Sequence, residues 1–458
     1  MISPAATIAI KKAVSDPLLQ SIRNYVWNIA CLIRDGYGLS SAVDFVNHHF
    51  PKQTHYFQIE NGLSTFGLKN HFLFPEEDRI AKFIFCNRKT DKSLEITNIT
   101  EQDVQEISLC LEILGKARKS SKAVHDLPYS DFVQTLSEME IFVDNSVQTG
   151  WNFSAGSTGI YRLQHASFLL QTEKARVLID PHFVSENNAE LNLQSLMMPH
   201  NFNELNINAV LISHSHSDHY DLPSLMMMPR ETLMIVPKVP KASILAPQFA
   251  RELRCLGFRN VVEMDWYSDP VIVEDIEIRA FPFYGEQPLR YEHPRHPMLR
   301  NWGNSYVFLT PNFSTWCLID SGADADGSMV YVADEVKKKL GEVDVVLANL
   351  HEFFVGVKCS NPFYTTGGGE YWLSLTADQM ARFPELCKHQ ITLGPKGVAE
   401  ICAIVGAKTF LPYAHAWSNF STIPDDEPHL LEKLHSESAS LNRNLKIGNW
   451  RIGDFWHP

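Results

Sequence analysis

The sequence predicts an α/β protein in which two sheets are flanked by helices, preceded by a smaller α+β domain. Apolar runs of strand length alternate with helical periodicity between residues 155 and 420, the pattern of sheets covered by helices. One such run, Ala209 to Ile212, delivers four metal-capable side chains directly at its end. The first 150 residues have a different texture and are set apart by a Gly/Ser-rich stretch, Ser146 to Ser157. The expected units are an N-terminal α+β domain over 1–145, a catalytic domain over 155–420 and a C-terminal tail over 421–458.

Composition bounds the function. The chain has 458 residues, a net charge of −13, 45% apolar and 20% charged residues. This suits an ordinary globular protein with a sizeable core. No Lys/Arg-rich run offers the basic face that a phosphate backbone needs, so nucleic acid is not an expected partner. No apolar segment approaches membrane length. Lys11 and Lys12 follow a short apolar stretch, the wrong order for a signal peptide, so a cytoplasmic location is expected. Eight scattered cysteines without a C-x-x-C pair read as reduced thiols. No Rieske spacing of Cys and His is present, so no iron–sulfur cluster is expected.

Along the N-terminal region, residues 17–35 and 38–49 place apolar side chains at helical spacing. Residues 54–74 alternate like strands, with Asn61-Gly62 as a hairpin turn. Residues 82–86 and 94–96 read as strands, and 101–116 and 129–142 as amphipathic helices. This region carries no ligand cluster, so its expected role is packing, homodimerisation or partner docking. In the catalytic domain, strands are expected over 271–280, 305–309 and 315–319, and helices over 246–256, 330–340 and 395–405. The tail carries a helical segment near 428–438.

The segment Val210-Leu-Ile-Ser-His-Ser-His-Ser-Asp-His219 is the most informative in the chain. The i, i+2 spacing of His214 and His216 aims both imidazoles the same way from extended backbone. The following turn brings Asp218 and His219 round beside them. Two imidazoles can hold one metal, and a carboxylate with an imidazole can begin a second site. Packing does not explain four such groups in six residues.

This motif resembles the H-x-H-x-D-H signature of the metallo-β-lactamase superfamily. The resemblance implies an αββα sandwich with a two-metal site at one edge. It covers roughly 155–420. His165-Ala-Ser and Val177-Leu-Ile-Asp180-Pro181 are similar to turns that flank the metals in the lactonase and N-acylethanolamine phospholipase D branch, although Gln164 stands where that branch has Gly. His165 and Asp180 are then groups that orient the ligands from behind. The same resemblance makes Asp320, which ends the strand 315–319, a carboxylate bridging two metals. It makes His415, after the apolar run 409–414, the last imidazole.

One position departs from the hydrolase pattern. Where that branch has a His after strand 276–283, this chain has Tyr284-Gly-Glu286-Gln, with His293 and His296 further on in a Pro-rich loop. Glu286 as ligand exchanges a neutral nitrogen for an anionic oxygen, which favours iron over zinc. That substitution resembles the diiron oxygenases built on this fold, in particular the β-hydroxylase family of chloramphenicol biosynthesis. It implies two iron ions, O₂, an electron donor and a small or carrier-tethered substrate, with Asp218, Glu286 and Asp320 at the reacting centre. The alternative is a dinuclear zinc or manganese hydrolase of a lactone or phosphodiester, with His293 or His296 in place of Glu286. His351, Glu352 and Arg290 are weaker candidates for contacting substrate. Arg295 and Arg300 read as a solvated loop, and Gly367-Gly-Gly369 as a flexible covering loop.

Overall fold

The computed structural model describes residues 6–12, 28, 32, 35–49, 57–58, 67–75, 79–116, 130–141, 157–183, 205–354, 374–376, 378–379, 382–386, 389–414, 427–441, 443–448 and 451–458. The N-terminal region contains strand β1 (Ala6–Lys12), helix α1 (Leu39–His49), short strands β2 (Phe57–Gln58) and β3 (Gly67–Leu68), one turn of helix α2 (Asn70–Leu73), strands β4 (Ile80–Asn87) and β5 (Lys92–Thr97), and helices α3 (Glu101–Lys116) and α4 (Ser130–Glu138). β1, β4 and β5 form an antiparallel sheet, in that order. Thr100 and Asp103 start α3 by exchanging side-chain to backbone hydrogen bonds. Among the described residues of the expected strand run over 54–74, β2 and β3 pair with one another, and the last residues form α2. The Asn61-Gly62 turn and most of 17–35 lie outside the described residues.

A first seven-stranded sheet follows: β6 (Gly159–Gln164), β7 (Ser167–Gln171), β8 (Arg176–Ile179), β9 (Ala209–Leu211), helix α5 (Leu222–Leu225), β10 (Leu233–Pro237), helix α6 (Phe249–Cys255) and β11 (Val261–Met264). The second sheet contains β12 (Val271–Val273), β13 (Ile276–Pro282), β14 (Asn304–Leu309) and β15 (Ser314–Ile319). A small hairpin, β16 (Ala323–Asp324) and β17 (Gly327–Ser328), leads to helix α7 (Met329–Leu340), β18 (Val345–Ala348), helices α8 (Phe383–Leu386) and α9 (Gly394–Val405), and β19 (Thr409–Pro412). Helix α10 (Glu427–Ser440), β20 (Lys446–Ile447) and β21 (Phe455–Trp456) complete the chain. The first sheet runs β11-β10-β9-β8-β7-β6-β21, and the second β12-β13-β14-β15-β18-β19-β20.

Each central strand is buried on both faces, which is why Val177–Ile179, Ala209–Ile212 and Val345–Ala348 read as unbroken apolar runs. Alternate residues point to opposite faces. Val177, Ile179, Ala209, Leu211, Ile278 and Cys317 fill the layer between the sheets, and Trp316, Leu318 and Val346 meet α7 and α9. Leu163, Leu178 and Val210 face outward from the first sheet onto α5, α6 and the N-terminal elements. Burying one such side chain contributes about 1.5–3 kcal/mol. Ser328 caps α7 by accepting from Val330 N–H, and Gly406 ends α9 in the left-handed conformation.

Two expected boundaries are crossed by this packing. Ile8, Phe83, Phe85, Ile107 and Leu111 share one buried cluster with Leu163, Val210, Met226 and Phe249. The N-terminal elements thus cover the outer face of the first sheet. Arg230 reinforces the join: its buried guanidinium donates to Ser108 O at 2.6 Å, Met226 O at 2.8 Å and Met228 O at 2.7 Å, beside Glu112. The C-terminal segment is no free tail either. β20 adds to the second sheet beside β19, and β21 adds to the first beside β6. Gly159 is required there, since a Cβ would lie 2.1 Å from Trp456 O.

Candidate metal centre

The motif residues occupy the turn that follows β9. His219 N–H and Tyr220 N–H both donate back to His216 O, at 2.9 and 2.8 Å, which folds Asp218 and His219 against the two preceding imidazoles. His214 Nε2 stands 3.1 Å from His216 Nδ1. Asp180, at the end of β8, accepts from Ser213 N–H at 2.7 Å and faces His219 Nδ1 at 2.8 Å. That contact fixes the ring so that its other nitrogen, Nε2, faces Asp320 Oδ2 at 2.7 Å. His165 sits in the β6–β7 turn, with Nε2 2.9 Å from Asp218 Oδ2.

The second sheet supplies carboxylates to the same place. Glu286 lies just past β13, and its Oε2 is 3.2 Å from His216 Nδ1. Asp320 follows β15, where a bulge between Cys317 and Ile319 breaks the pairing with β18 and re-aims the strand end. One donor atom each from His214, His219 and Asp320 lies within 4.8 Å of the others, as do donors from His165, Asp218 and His219. Backbone strain collects here. His165, Asp180, Glu286 and Ile319 all have positive φ, between 43° and 60°. For a β-branched residue such as Ile319 that conformation is a true outlier, held only because the surroundings over-determine it.

The electrostatics are those of an anion-rich buried cluster. Asp180, Asp218, Glu286 and Asp320 are all under 5% exposed. Burial, together with Asp320 and Asp218, pushes the Glu286 carboxyl well above the usual carboxylate range. Burial lowers His219, but Asp218, Asp320 and Asp180 outweigh it and hold the ring well above the imidazole range. Burial, with His219 and His216, holds His214 well below it. Buried carboxylates at this density call for cations. The donors suit them: ligands about 2.1 Å from a shared metal stand roughly 3–3.4 Å apart, which matches the 3.1 Å between His214 Nε2 and His216 Nδ1 and the 3.2 Å from His216 Nδ1 to Glu286.

Six of the seven residues expected to bind metal therefore converge: His214, His216, Asp218, His219, Glu286 and Asp320. His415 lies outside the described residues, as do Gly367–Gly369; Tyr413 and Ala414, which lead to it, are buried at the end of β19. His293 and His296 do not converge. The His293 side chain is 43% exposed and pairs with Asp326 at 3.5 Å, and His296 packs edge-on against Phe74. Two of the three weaker candidates have their side chains tied elsewhere. Arg290 donates to Gln390 O. Glu352 pairs with Lys433 at 2.5 Å. His351 is buried beside Phe353, and its carbonyl accepts from Thr392 Oγ1. Arg300 is not solvated at all: its side chain is 5% exposed.

Sequence reasoning missed three neighbours of the centre. His182 is fully buried, its ring centroid 5.9 Å from that of His165; its place two residues after Asp180 was the available signal. Asn301 reaches His216 Nε2 at 3.2 Å. Gly303 packs against the motif strand: a Cβ there would lie 2.8 Å from His214 Cβ and 2.9 Å from Ser213 O.

Comparison with known proteins agrees with this architecture. A stretch of 146 residues is 37% identical to the 4-amino-L-phenylalanyl-[CmlP-peptidyl-carrier-protein] 3-hydroxylase of Streptomyces venezuelae, covering 31% of this chain and 25% of that protein. The chain thus spans a quarter of the curated relative it matches. The crystal structure of CmlA, a diiron beta-hydroxylase from Streptomyces venezuelae, superposes with a TM-score of 0.60 over 98% of this chain and 97% of that one, at 13% identity. A variant of the CmlA beta-hydroxylase gives 0.59 over 97% of both chains, at 12% identity. At such identities the likeness speaks for the fold. The sequence pattern of the beta-lactamase superfamily domain matches residues 175–413, more than half of the chain. With its strand-end histidines and carboxylates gathered at one edge of an αββα sandwich, the chain belongs to the beta-lactamase superfamily.

Proposed function

We propose that this chain is a diiron-dependent hydroxylase that uses O₂. The observation that carries the reading is Glu286: a buried carboxylate faces His216, while the two histidines that could have served instead lie out in the loop. In this reading His214, His216 and Glu286 would hold one iron, Asp218, His219 and His415 would hold the other, and Asp320 would serve both. His165 and Asp180 orient Asp218 and His219. When bound and reduced by an electron donor, the iron pair supplies O₂ activation for hydroxylation of a C–H bond. The carboxylates would offset the charge of such a pair, and the burial of the cluster excludes bulk water from it.

The partial identity to a hydroxylase acting on an aminoacyl group on a peptidyl carrier protein supports a carrier-tethered amino acid as substrate. Metal analysis of protein purified without added metal tests the reading. Two irons per chain, with an iron-dependent near-ultraviolet absorption lost on reduction, are expected. Two zinc or manganese ions, with hydrolysis of a lactone or phosphodiester, would replace it by the hydrolase reading.

A further inference from the structure

Glu286 sits in a conformation that it would not adopt alone. Gly285 has φ 88° and Glu286 φ 51°, so two consecutive residues are left-handed. A left-handed non-glycine residue brings its Cβ against the following carbonyl oxygen, and the surroundings must hold it there. They do so through one buried ion pair. Arg300 Nη2 donates to Asp324 Oδ2 at 2.7 Å and to Phe283 O at 2.9 Å, while Nη1 donates to Asp326. The same Asp324 oxygen accepts from Gly285 N–H at 2.8 Å. The Asp324 side chain is 2% exposed, and the rings of Trp266, Tyr284 and Trp302 lie 5.4–5.6 Å from the guanidinium carbon.

Asp324 also belongs to the segment that carries Asp320. Between them, Gly322 N–H donates to Tyr284 O at 2.6 Å, and no side chain fits at Gly285 or Gly322, where a Cβ would lie 2.3 Å and 2.2 Å from Ile391 O. The two carboxylate-bearing turns are thus locked to one another by Asp324, with Arg300 holding Asp324 in place. We propose that Arg300 and Asp324 are positioning residues that set the placement of Glu286 relative to Asp320, and so build one half of the dinuclear site. Neither side chain is among the donors gathered at the centre; each acts through the turn. The inference rests on reading Glu286 as a metal ligand.

Cobalt(II) titration of the full chain, followed by its d–d absorption, tests this without reference to turnover. The unaltered protein is expected to take two equivalents. Asp324→Ala should weaken one equivalent by about 10–100-fold, the range for outer partners of metal ligands, and leave the other unchanged. Arg300→Lys keeps the charge but loses the fork onto two oxygens, and should weaken the same equivalent. In a Glu286→Gln background, which should already have lost that equivalent, Asp324→Ala should add nothing. Thermal unfolding of the metal-free variants reports on folding, and Arg300→Lys serves if Asp324→Ala does not fold. Two tight equivalents in both variants, or losses that simply add to that of Glu286→Gln, overturn the positioning role. Unchanged cobalt binding in Glu286→Gln alone overturns the ligand reading on which it stands. Accumulation of zinc in place of iron overturns only the hydroxylase reading.

Discussion

At the scale of single residues, the proposed function turns on Glu286. Replacing it with His restores an imidazole at that place, so Glu286→His should shift retained metal toward zinc. His293→Ala should change metal content little, since its ring faces Asp326 at the surface; elemental analysis of the two variants side by side checks both. A second test needs no ligand. Gly303→Ala forces a methyl into His214 and Ser213 O. Overpacking of this kind costs about 1–3 kcal/mol, and here the strain falls on a ligand. Reduced metal affinity with a lowered Tm is expected, and wild-type affinity would count against the close approach. The convergence of the proposed ligands was legible because each follows an apolar run of strand length. Gly303 and Asn301 were not, because what they touch lies about 85 residues away in sequence. Arg300 misled for the same reason: its carboxylate partners sit beyond two strands, and only the fold brings them back.

At the scale of elements, the strands read well wherever both faces are buried. The expected helices over 101–116, 330–340 and 395–405 match α3, α7 and α9 within a residue or so. The expected strand 271–280 is two strands, β12 and β13, folded about Glu274 in a left-handed turn. Its near-continuous β-branched pattern hid the reversal. β20 and β21 were invisible, because two residues carry no period. The contact of α3 with the first sheet yields a further prediction. Arg230 is 6% exposed, and burial brings its guanidinium down to about 10 despite Glu112. Arg230→Ala removes the cation beside Glu112 and leaves three carbonyl groups short of a donor. Breaking a buried pair in this way costs about 3–5 kcal/mol. A comparable loss in denaturant-derived stability is expected, and a loss under 1 kcal/mol would mean that water replaces the guanidinium.

For the whole molecule, a single buried cluster joins the N-terminal strands to the catalytic sandwich. Removing residues 1–145 should therefore expose Leu163, Val210, Met226 and Phe249 to water. The truncated chain is expected to aggregate or to bind a hydrophobic dye; a soluble, folded fragment with full metal content would show that the N-terminal region is dispensable. The change of texture near 146–157 is a shift in composition, and texture says nothing about which surfaces share a core. Closure by β20 and β21 has a consequence in time. Asp180 and the motif from His214 to His219 extend from the first sheet, and Glu286 and Asp320 from the second. The strands that complete both sheets lie at 446–447 and 455–456. During synthesis every one of those residues leaves the ribosome before these strands do. The nascent chain thus carries these histidines and carboxylates before either sheet has received its last strand.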